Sequence, residues 1–239
     1  MELSTNNQIN DQYLFPSFTH TLIVGRAINI NLNRFHNIRC PKLECPLKRV
    51  IAQLNSHVLP YLEHLFISHL DTMTADNEWT SLSSLCTLRI SRITLLVYQA
   101  ILRACQNLHS FELSMFSSDE YVTTIEPHMN LKRLVIDVGD MIWPWSDHVF
   151  HSYLSSVPNL EILIVYRSIF SSKISTSLLD YDWLAYKISL YLFSLQQFKF
   201  YFKIIQGQIY NASNILSEIK EKFSNSHNNR YESRFILLN

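Results

Sequence analysis

One spacing constrains the fold of this chain more than any other feature of its sequence. An apolar residue that opens an LxxLxL-like triplet returns every 23 residues, at Leu62, Leu85, Leu108 and Leu131. Two further copies follow after longer steps, at Leu160 and Leu195. A fixed period of about 20 to 50 residues marks a repeat architecture, and this triplet is typical of leucine-rich repeats. The spacing therefore predicts an array of repeated structural units.

The residues that precede the triplets support the same register. The phrases Pro-Tyr-Leu-Glu-His-Leu at 60–65, Gln-Asn-Leu-His-Ser-Phe at 106–111 and Pro-Asn-Leu-Glu-Ile-Leu at 158–163 resemble one another. The segment 40–44 is interpreted as a degenerate first copy that opens at Leu43, with Pro46 at its second apolar position. The full triplets are Leu62/Leu65/Ile67, Leu85/Leu88/Ile90, Leu108/Phe111/Leu113, Leu131/Leu134/Ile136, Leu160/Leu163/Val165 and Leu195/Phe198/Phe200.

Between the triplets the apolar period changes from two to about 3.6, which indicates alternating strands and helices. Helices are predicted within 47–58, 95–105, 149–157 and 184–192. A last helix is predicted at 214–223, followed by a turn at 225–229. The segments 19–24 and 234–238 are predicted as the first and last strands.

Strands joined by helical crossovers must be parallel, and such crossovers are right-handed. The expected class is α/β, a right-handed leucine-rich-repeat solenoid with the shape of a horseshoe. Parallel strands would form its concave face and helices its convex face. We expect one domain over 1–239, with an irregular segment or cap at 1–40 and repeats at 41–239. The asparagine of many extracellular repeats is missing, since Leu70, Ile93, Phe116 and Gly139 occupy its position.

Composition narrows the classes of function. Lys plus Arg equals Asp plus Glu at 20 each, so no excess of positive charge favours nucleic acid as a partner. Three scattered glycines do not form a phosphate-binding loop. Four scattered cysteines, a polar amino terminus and the lack of an apolar run of about 20 residues favour a cytoplasmic or nuclear protein that does not enter the membrane.

No motif for catalysis or metal binding stands out. His36, Cys40, Cys45 and His57 can be drawn together as a zinc site, but the spacing of the two cysteines is looser than structural zinc sites use. Neither a GxSxG elbow nor an HExxH helix is present. We therefore expect no enzyme activity, no metal and no cofactor. The sequence Trp143-Pro144-Trp145 is either a loop over the helix layer or a ligand-stacking site.

The triplet pattern also predicts a binding surface. Side chains of a strand alternate between its two faces, so the residues between the apolar positions should share the face opposite the core. Arg89 and Glu112 should be neighbours there and pair. Several apolar residues should stand exposed on this face and mark an interaction site, unless a terminal segment covers them. The predicted partner-binding residues are Phe66, Arg89, Glu112, Arg133, Val135, Ile162, Ile164, Tyr166, Lys199 and Tyr201. A third row is predicted to run through Ser68, Ser91 and Ser114 and on to Asp137, Tyr166 and Tyr201.

The phrases at 158–163 and Leu-Lys-Arg-Leu-Val-Ile at 131–136, with irregular repeat lengths, resemble the leucine-rich-repeat regions of F-box proteins over about 40–205. The resemblance implies a repeat region that holds a protein substrate while an F-box docks onto a cullin ubiquitin-ligase adaptor. Residues 1–40 lack the Leu-Pro opening of an F-box. Adaptor binding is therefore expected only if an F-box lies outside this chain, and the chain is expected to be a monomer. The alternative is a structural scaffold, or a truncated repeat fragment, without a partner of its own.

Overall fold

The structure is a computed structural model, and it describes residues 2–3, 20–26, 28–68, 79–115, 126–138, 147–170, 181–205, 212–227 and 231–238. The chain forms two compact units, Met1–Phe116 and Ser117–Asn239. Each unit contains parallel strands and helices, which confirms the α/β class. The assignment of 1–239 to one domain stays a prediction.

The first unit is built on strands that pair in chain order. Every described pair is parallel, and the strand predicted at 19–24 is confirmed as the second of them. Segment 1–40, expected to be irregular, thus contributes two short strands to the sheet. The strands are β1 (Glu2–Leu3), β2 (Thr21–Val24), β3 (Cys40–Leu43), β4 (His64–Ile67), β5 (Thr87–Ile93) and β6 (Ser110–Met115), and the helices are α1 (Lys48–Ile51), α2 (Leu95–Ala104) and a 3-10 turn at Leu32–Arg34.

The second unit alternates strands and helices, as the changing period predicted. Its described strand pairs, β7 with β8, β8 with β9 and β9 with β10, are parallel. The elements are β7 (Arg133–Asp137), α3 (Asp147–Ser155), β8 (Ile162–Phe170), α4 (Tyr181–Tyr191), β9 (Gln197–Ile205), α5 (Ala212–His227) and β10 (Glu232–Leu238).

The turn predicted at 225–229 is wrong over 225–227, because α5 continues to His227, and its last two residues lie outside the described ones. Phe223 and His227 are four residues apart, so they share one face of the helix, and both are buried. Their rings lie 4.6 Å apart. The Nδ1 atom of His227 lies 2.5 Å from the Tyr231 hydroxyl, just before β10. These contacts stabilise a helical turn in which asparagine and serine predominate.

The triplet positions form the cores of the two units. All of them are buried, and the most exposed, Leu195, is 7% exposed. Parallel pairing sets corresponding positions side by side, so Leu88 lies between Leu65 and Phe111 in the first unit. In the second unit Leu163 lies between Leu134 and Phe198 in the same way. The prediction that Leu85, Leu108 and Leu131 point inward is confirmed.

Helix α2 illustrates how local sequence and core packing agree. The Thr94 hydroxyl accepts a hydrogen bond from the Val97 N–H at 3.3 Å and so caps the first turn. One turn later, the buried Tyr98 ring stacks on Phe111 of β6 at 5.5 Å between centroids. This contact packs α2 against the core side of β6.

A ladder of side chains links the turns of several repeats, and two of the three similar phrases supply donors to it. In three repeats the residue just before the first leucine donates to a backbone carbonyl in the turn of the preceding repeat. Asn107 Nδ2 donates to Ser83 O at 2.7 Å, and Asn159 Nδ2 donates to Met129 O at 3.1 Å. The Ser84 hydroxyl donates to the carbonyl of Pro60 in the same way. The repeats therefore have an inter-repeat ladder, in a different place from the asparagine position of extracellular repeats.

The first repeat copy has a different frame from the one expected. Strand β3 pairs Lys42 with Phe66 and Leu43 with Ile67, so Leu43 is the third apolar position and not the first. Pro41 then takes the second position and the buried Ile38 the first. The interpretation with Pro46 at the second position is wrong. The sequence carried a signal for the observed frame, since Leu43 is apolar at its third position, whereas the frame that opens at Leu43 places Lys48 there.

Candidate protein-binding face

The outward face of each unit consists of the strand side chains that lie opposite the triplet core. Two properties position it, namely the period of two along a strand and the parallel register between strands. Because of the register, outward side chains at corresponding positions form rows that cross several strands. Along one strand, outward side chains two residues apart belong to consecutive rows.

In the first unit the central row of the outward face runs in the predicted order. Phe66 pairs in register with Arg89, and Arg89 with Glu112, while Lys42 extends the row on the other side of Phe66. Arg89 Nε lies 3.1 Å from Glu112 Oε1, so the predicted ion pair is confirmed. The Arg89 side chain is 60% exposed, and such a pair contributes only about 0–1 kcal/mol to stability. The ion pair therefore fixes the orientation of the two charged side chains on the surface but contributes little to the stability of the fold.

The third row breaks at a bulge that the sequence did not predict. The register between β5 and β6 shifts between Ile90 and Ile93, and Arg92 has a φ of 59°. The Arg92 N–H donates to the Ser114 hydroxyl at 2.7 Å. Ser91 and Ser114 therefore do not continue the row. A non-glycine residue in this left-handed region is uncommon, and the sequence carries no glycine that would have signalled the bulge.

In the second unit three strands carry the outward face in the predicted register. Pairing between β7 and β8 and between β8 and β9 is continuous across the rows. The rows are Arg133, Ile162 and Gln197; Val135, Ile164 and Lys199; and Asp137, Tyr166 and Tyr201.

Two residues of this face are not exposed, contrary to expectation. Val135 is 2% and Ile164 is 7% exposed, so neither presents a surface to a partner. Both are short branched side chains in the middle row. Ile164 lies between Val135 and Lys199 across the sheet and between Ile162 and Tyr166 along its own strand. Lys199 and Tyr166 have longer side chains than Ile164 and help to exclude water from it.

The accessible part of this face centres on two tyrosines. Tyr166 and Tyr201 are paired in register and stack with centroids 4.5 Å apart and an angle of 14° between the rings. Both are half-buried, as are Ile162 and Lys199. Stacked rings with polar hydroxyl tips offer rigid contact area at little cost in side-chain entropy. The tyrosine pair is therefore the strongest anchor that the face presents.

Strand β10 adds charges that the sequence interpretation left out. Gln197 Nε2 donates to Glu232 Oε2 at 2.9 Å, and Arg234 Nη2 lies 2.5 Å from Glu232 Oε1. The hydrogen bonds from Gln197 and Arg234, with the positive charge of Arg234, lower the pKa of the exposed Glu232 carboxyl below its usual value. A more distant charge, Lys199, acts in the same direction. Glu232 therefore stays ionised on this face at neutral pH.

The remaining candidate sites in the sequence are the possible zinc site, the cysteine thiols and the tryptophan-rich segment. Within the described residues no group of three or more His, Cys, Asp or Glu side chains is arranged to hold a metal ion. Cys40 and Cys45 are free thiols. Burial raises the pKa of the Cys105 thiol to about 12, so it stays protonated at neutral pH. Trp143-Pro144-Trp145 lies outside the described residues.

Comparisons with known proteins do not assign a family. No protein-family model matches the chain, and no curated protein matches it at a significant level. Among helices of the described segments, none has both the length and the apolar character needed to span a bilayer. The best guide to the function of this protein is therefore the arrangement of side chains on the outward face.

Proposed function

We propose that this chain is a protein-interaction module of the leucine-rich-repeat type that binds its partner on the outward face. The observation that carries the proposal is the stacked Tyr166–Tyr201 pair, set in register with the rows that contain Ile162 and Lys199. Tyrosine and arginine are the residues that most often dominate binding energy at protein interfaces. Arg89 supplies the corresponding exposed group in the first unit.

We also propose that the repeats form a curved, right-handed solenoid. Parallel strands in chain order, joined by helical crossovers, would form a right-handed solenoid with the outward face on its concave side. A concave surface of this kind offers many side chains from successive repeats to one partner. The packing of α2 on the core side of β6 supports a helical layer opposite the outward face.

The more specific role is substrate recognition for an F-box-type ubiquitin ligase. It rests on the resemblance of the repeat phrases over about 40–205. In this role the chain holds a protein substrate, and an F-box elsewhere binds the cullin adaptor. We expect residues 1–239 alone to leave the adaptor unbound and a fusion with a grafted F-box to bind it in a pull-down. Stable capture of the adaptor by residues 1–239 would contradict this interpretation of residues 1–40.

The binding surface is tested by Tyr166→Ala and Arg89→Ala, each measured by calorimetry against a partner identified by cross-linking in cells. Each substitution should weaken binding by about 1–3 kcal/mol, or roughly 5- to 150-fold in Kd. The melting temperature should change little, because neither side chain belongs to the core. Lys220→Ala is the matched control, since Lys220 is exposed on α5.

Unaltered affinity in both variants, with a loss from Lys220→Ala instead, would place the binding surface on the helices. A large fall in the melting temperature of Tyr166→Ala would show that the tyrosine pair stabilises the fold.

A further inference from the structure

Helix α4 has apolar residues on two of its sides, and only one of them is used by the fold. Leu184, Ile188 and Leu192 form the inner side and are at most 3% exposed. Tyr186 and Leu190, four residues apart, share another side and are 60% and 40% exposed. The outer side of α4 therefore presents apolar surface that does not belong to the core of this unit.

The same apolar surface continues past the end of the helix. Phe193, in the turn that follows α4, is 80% exposed, and Met129, in the turn before β7, is 54% exposed. The two residues hold the same repeat position, two before Leu195 and Leu131. One strand, β8, lies between the strands that follow Met129 and Phe193, so the two turns belong to repeats that are next but one to each other.

We call Tyr186, Leu190, Phe193 and Met129 the α4 patch. The neighbouring helix α5 shows what a solvated helix surface looks like in this unit. Its exposed residues include two acids and two bases, Glu218, Lys220, Glu221 and Lys222. Lys222 Nζ pairs with Glu218 Oε1 at 2.7 Å. The exposed residues of α5 are thus mainly charged, whereas those of the α4 patch are apolar.

We propose that the α4 patch is a homodimer interface, in which a second copy of this chain packs α4 against α4 about a two-fold axis. This proposal is independent of the proposed function of the outward face, and it departs from the monomer expected from the sequence. In a two-fold interface the same surface meets itself, so the patch must be compatible with its own chemistry. Two aromatic rings and two flexible aliphatic side chains meet that condition.

The exposed area is sufficient for a weak dimer. Since a large side chain contributes about 150–250 Å² of surface, the exposed fractions correspond to roughly 500 Å² of apolar area per copy. Two copies would remove about 1,000 Å² from water before any surrounding residues are counted, which is near the lower limit for a specific interface. A dissociation constant on the order of 1–100 µM is expected for such an interface.

Charge also allows self-association. The chain carries 20 basic and 20 acidic residues, so two copies experience no net repulsion at neutral pH. Close to the patch, Lys187 Nζ lies 5.7 Å from the centre of the Tyr186 ring. The adjacent α5 surface has equal numbers of acidic and basic side chains, so each copy can place opposite charges near the rim of the other.

Sedimentation velocity over a range of concentrations tests the proposal on the full chain. The mass should rise from 28.1 kDa to twice that value and then level off. The double variant Tyr186→Ser/Phe193→Ser should stay at the monomer mass, with dimer affinity reduced at least about 10-fold. The single variant Phe193→Lys, in an exposed turn, tests the same contact with less risk to folding, because it sets like charges against each other in the dimer.

Leu96→Ser is the control, since Leu96 is 48% exposed on α2 and lies outside the patch. This variant should dimerise as the wild type does. A wild-type protein that keeps the monomer mass at several hundred micromolar overturns the proposal. A dimer that persists in both patch variants, or growth beyond two copies, also overturns it.

Discussion

Replacing Leu108 with alanine should lower the free energy of unfolding by about 2–5 kcal/mol. Leu108 is fully buried, and it holds the same repeat position as the equally buried Leu85. Its N–H donates to the carbonyl of Cys105 at 3.0 Å, which fixes the backbone where α2 leads into β6. The substitution removes most of a core side chain from a backbone that cannot easily close the cavity. Urea denaturation followed by circular dichroism measures the loss.

Leu96→Ala is the matched control for this prediction. It removes the same atoms from a leucine of the same unit that is 48% exposed. The expected loss is below about 1 kcal/mol, since little apolar area leaves the core. Equal losses in the two variants would contradict the assignment of the triplet leucines to the interior.

Replacing Phe198 with alanine should have a larger effect, about 3–5 kcal/mol, measured in the same way. Phe198 is fully buried at the second apolar position of its triplet. Its ring lies 5.6 Å from Phe223, 5.0 Å from His227 and 6.1 Å from Tyr231 between centroids. These neighbours belong to α5 and to the residue before β10. Loss of the ring should therefore loosen α5 and β10 as well as β9.

Phe193→Ala provides the control with the same chemical change, five residues earlier. Because Phe193 is 80% exposed, its substitution should cost less than about 1 kcal/mol. Both variants are measured at protein concentrations well below those at which copies associate, since dimerisation would otherwise add to the apparent stability. A cost for Phe198→Ala no greater than that of Phe193→Ala would show that the aromatic cluster does not hold these elements together.

The sequence predicted the parts of the fold that depend on register. A 23-residue period places Leu88 beside Leu65 and Phe111 whatever the details of the loops, because parallel strands of equal spacing align by sequence position. For the same reason it predicted that Arg89 and Glu112 would be neighbours. The curvature and handedness of the array stay predictions.

The parts that the sequence did not predict depend on contacts between distant segments. Burial of Ile164 on the outward face comes from neighbours on β7 and β9, which no local pattern reports. The extension of α5 to His227 depends on aromatic packing that outweighs the turn propensity of its last residues. The bulge at Arg92 has no glycine to mark it. Each of these errors reflects tertiary contacts that override local propensity.

The most direct test of the account is a measurement of nuclear Overhauser contacts between backbone protons of neighbouring strands in the isotope-labelled protein. If the repeat period encodes parallel strands in one register, the triplets lie inside and the outward face lies opposite. We expect contacts that join Leu65 to Leu88 and Leu88 to Phe111 in the first unit, and Leu134 to Leu163 and Leu163 to Phe198 in the second. Contacts in an antiparallel pattern, or a register displaced by one residue, would contradict this expectation, since either would exchange the core for the binding face.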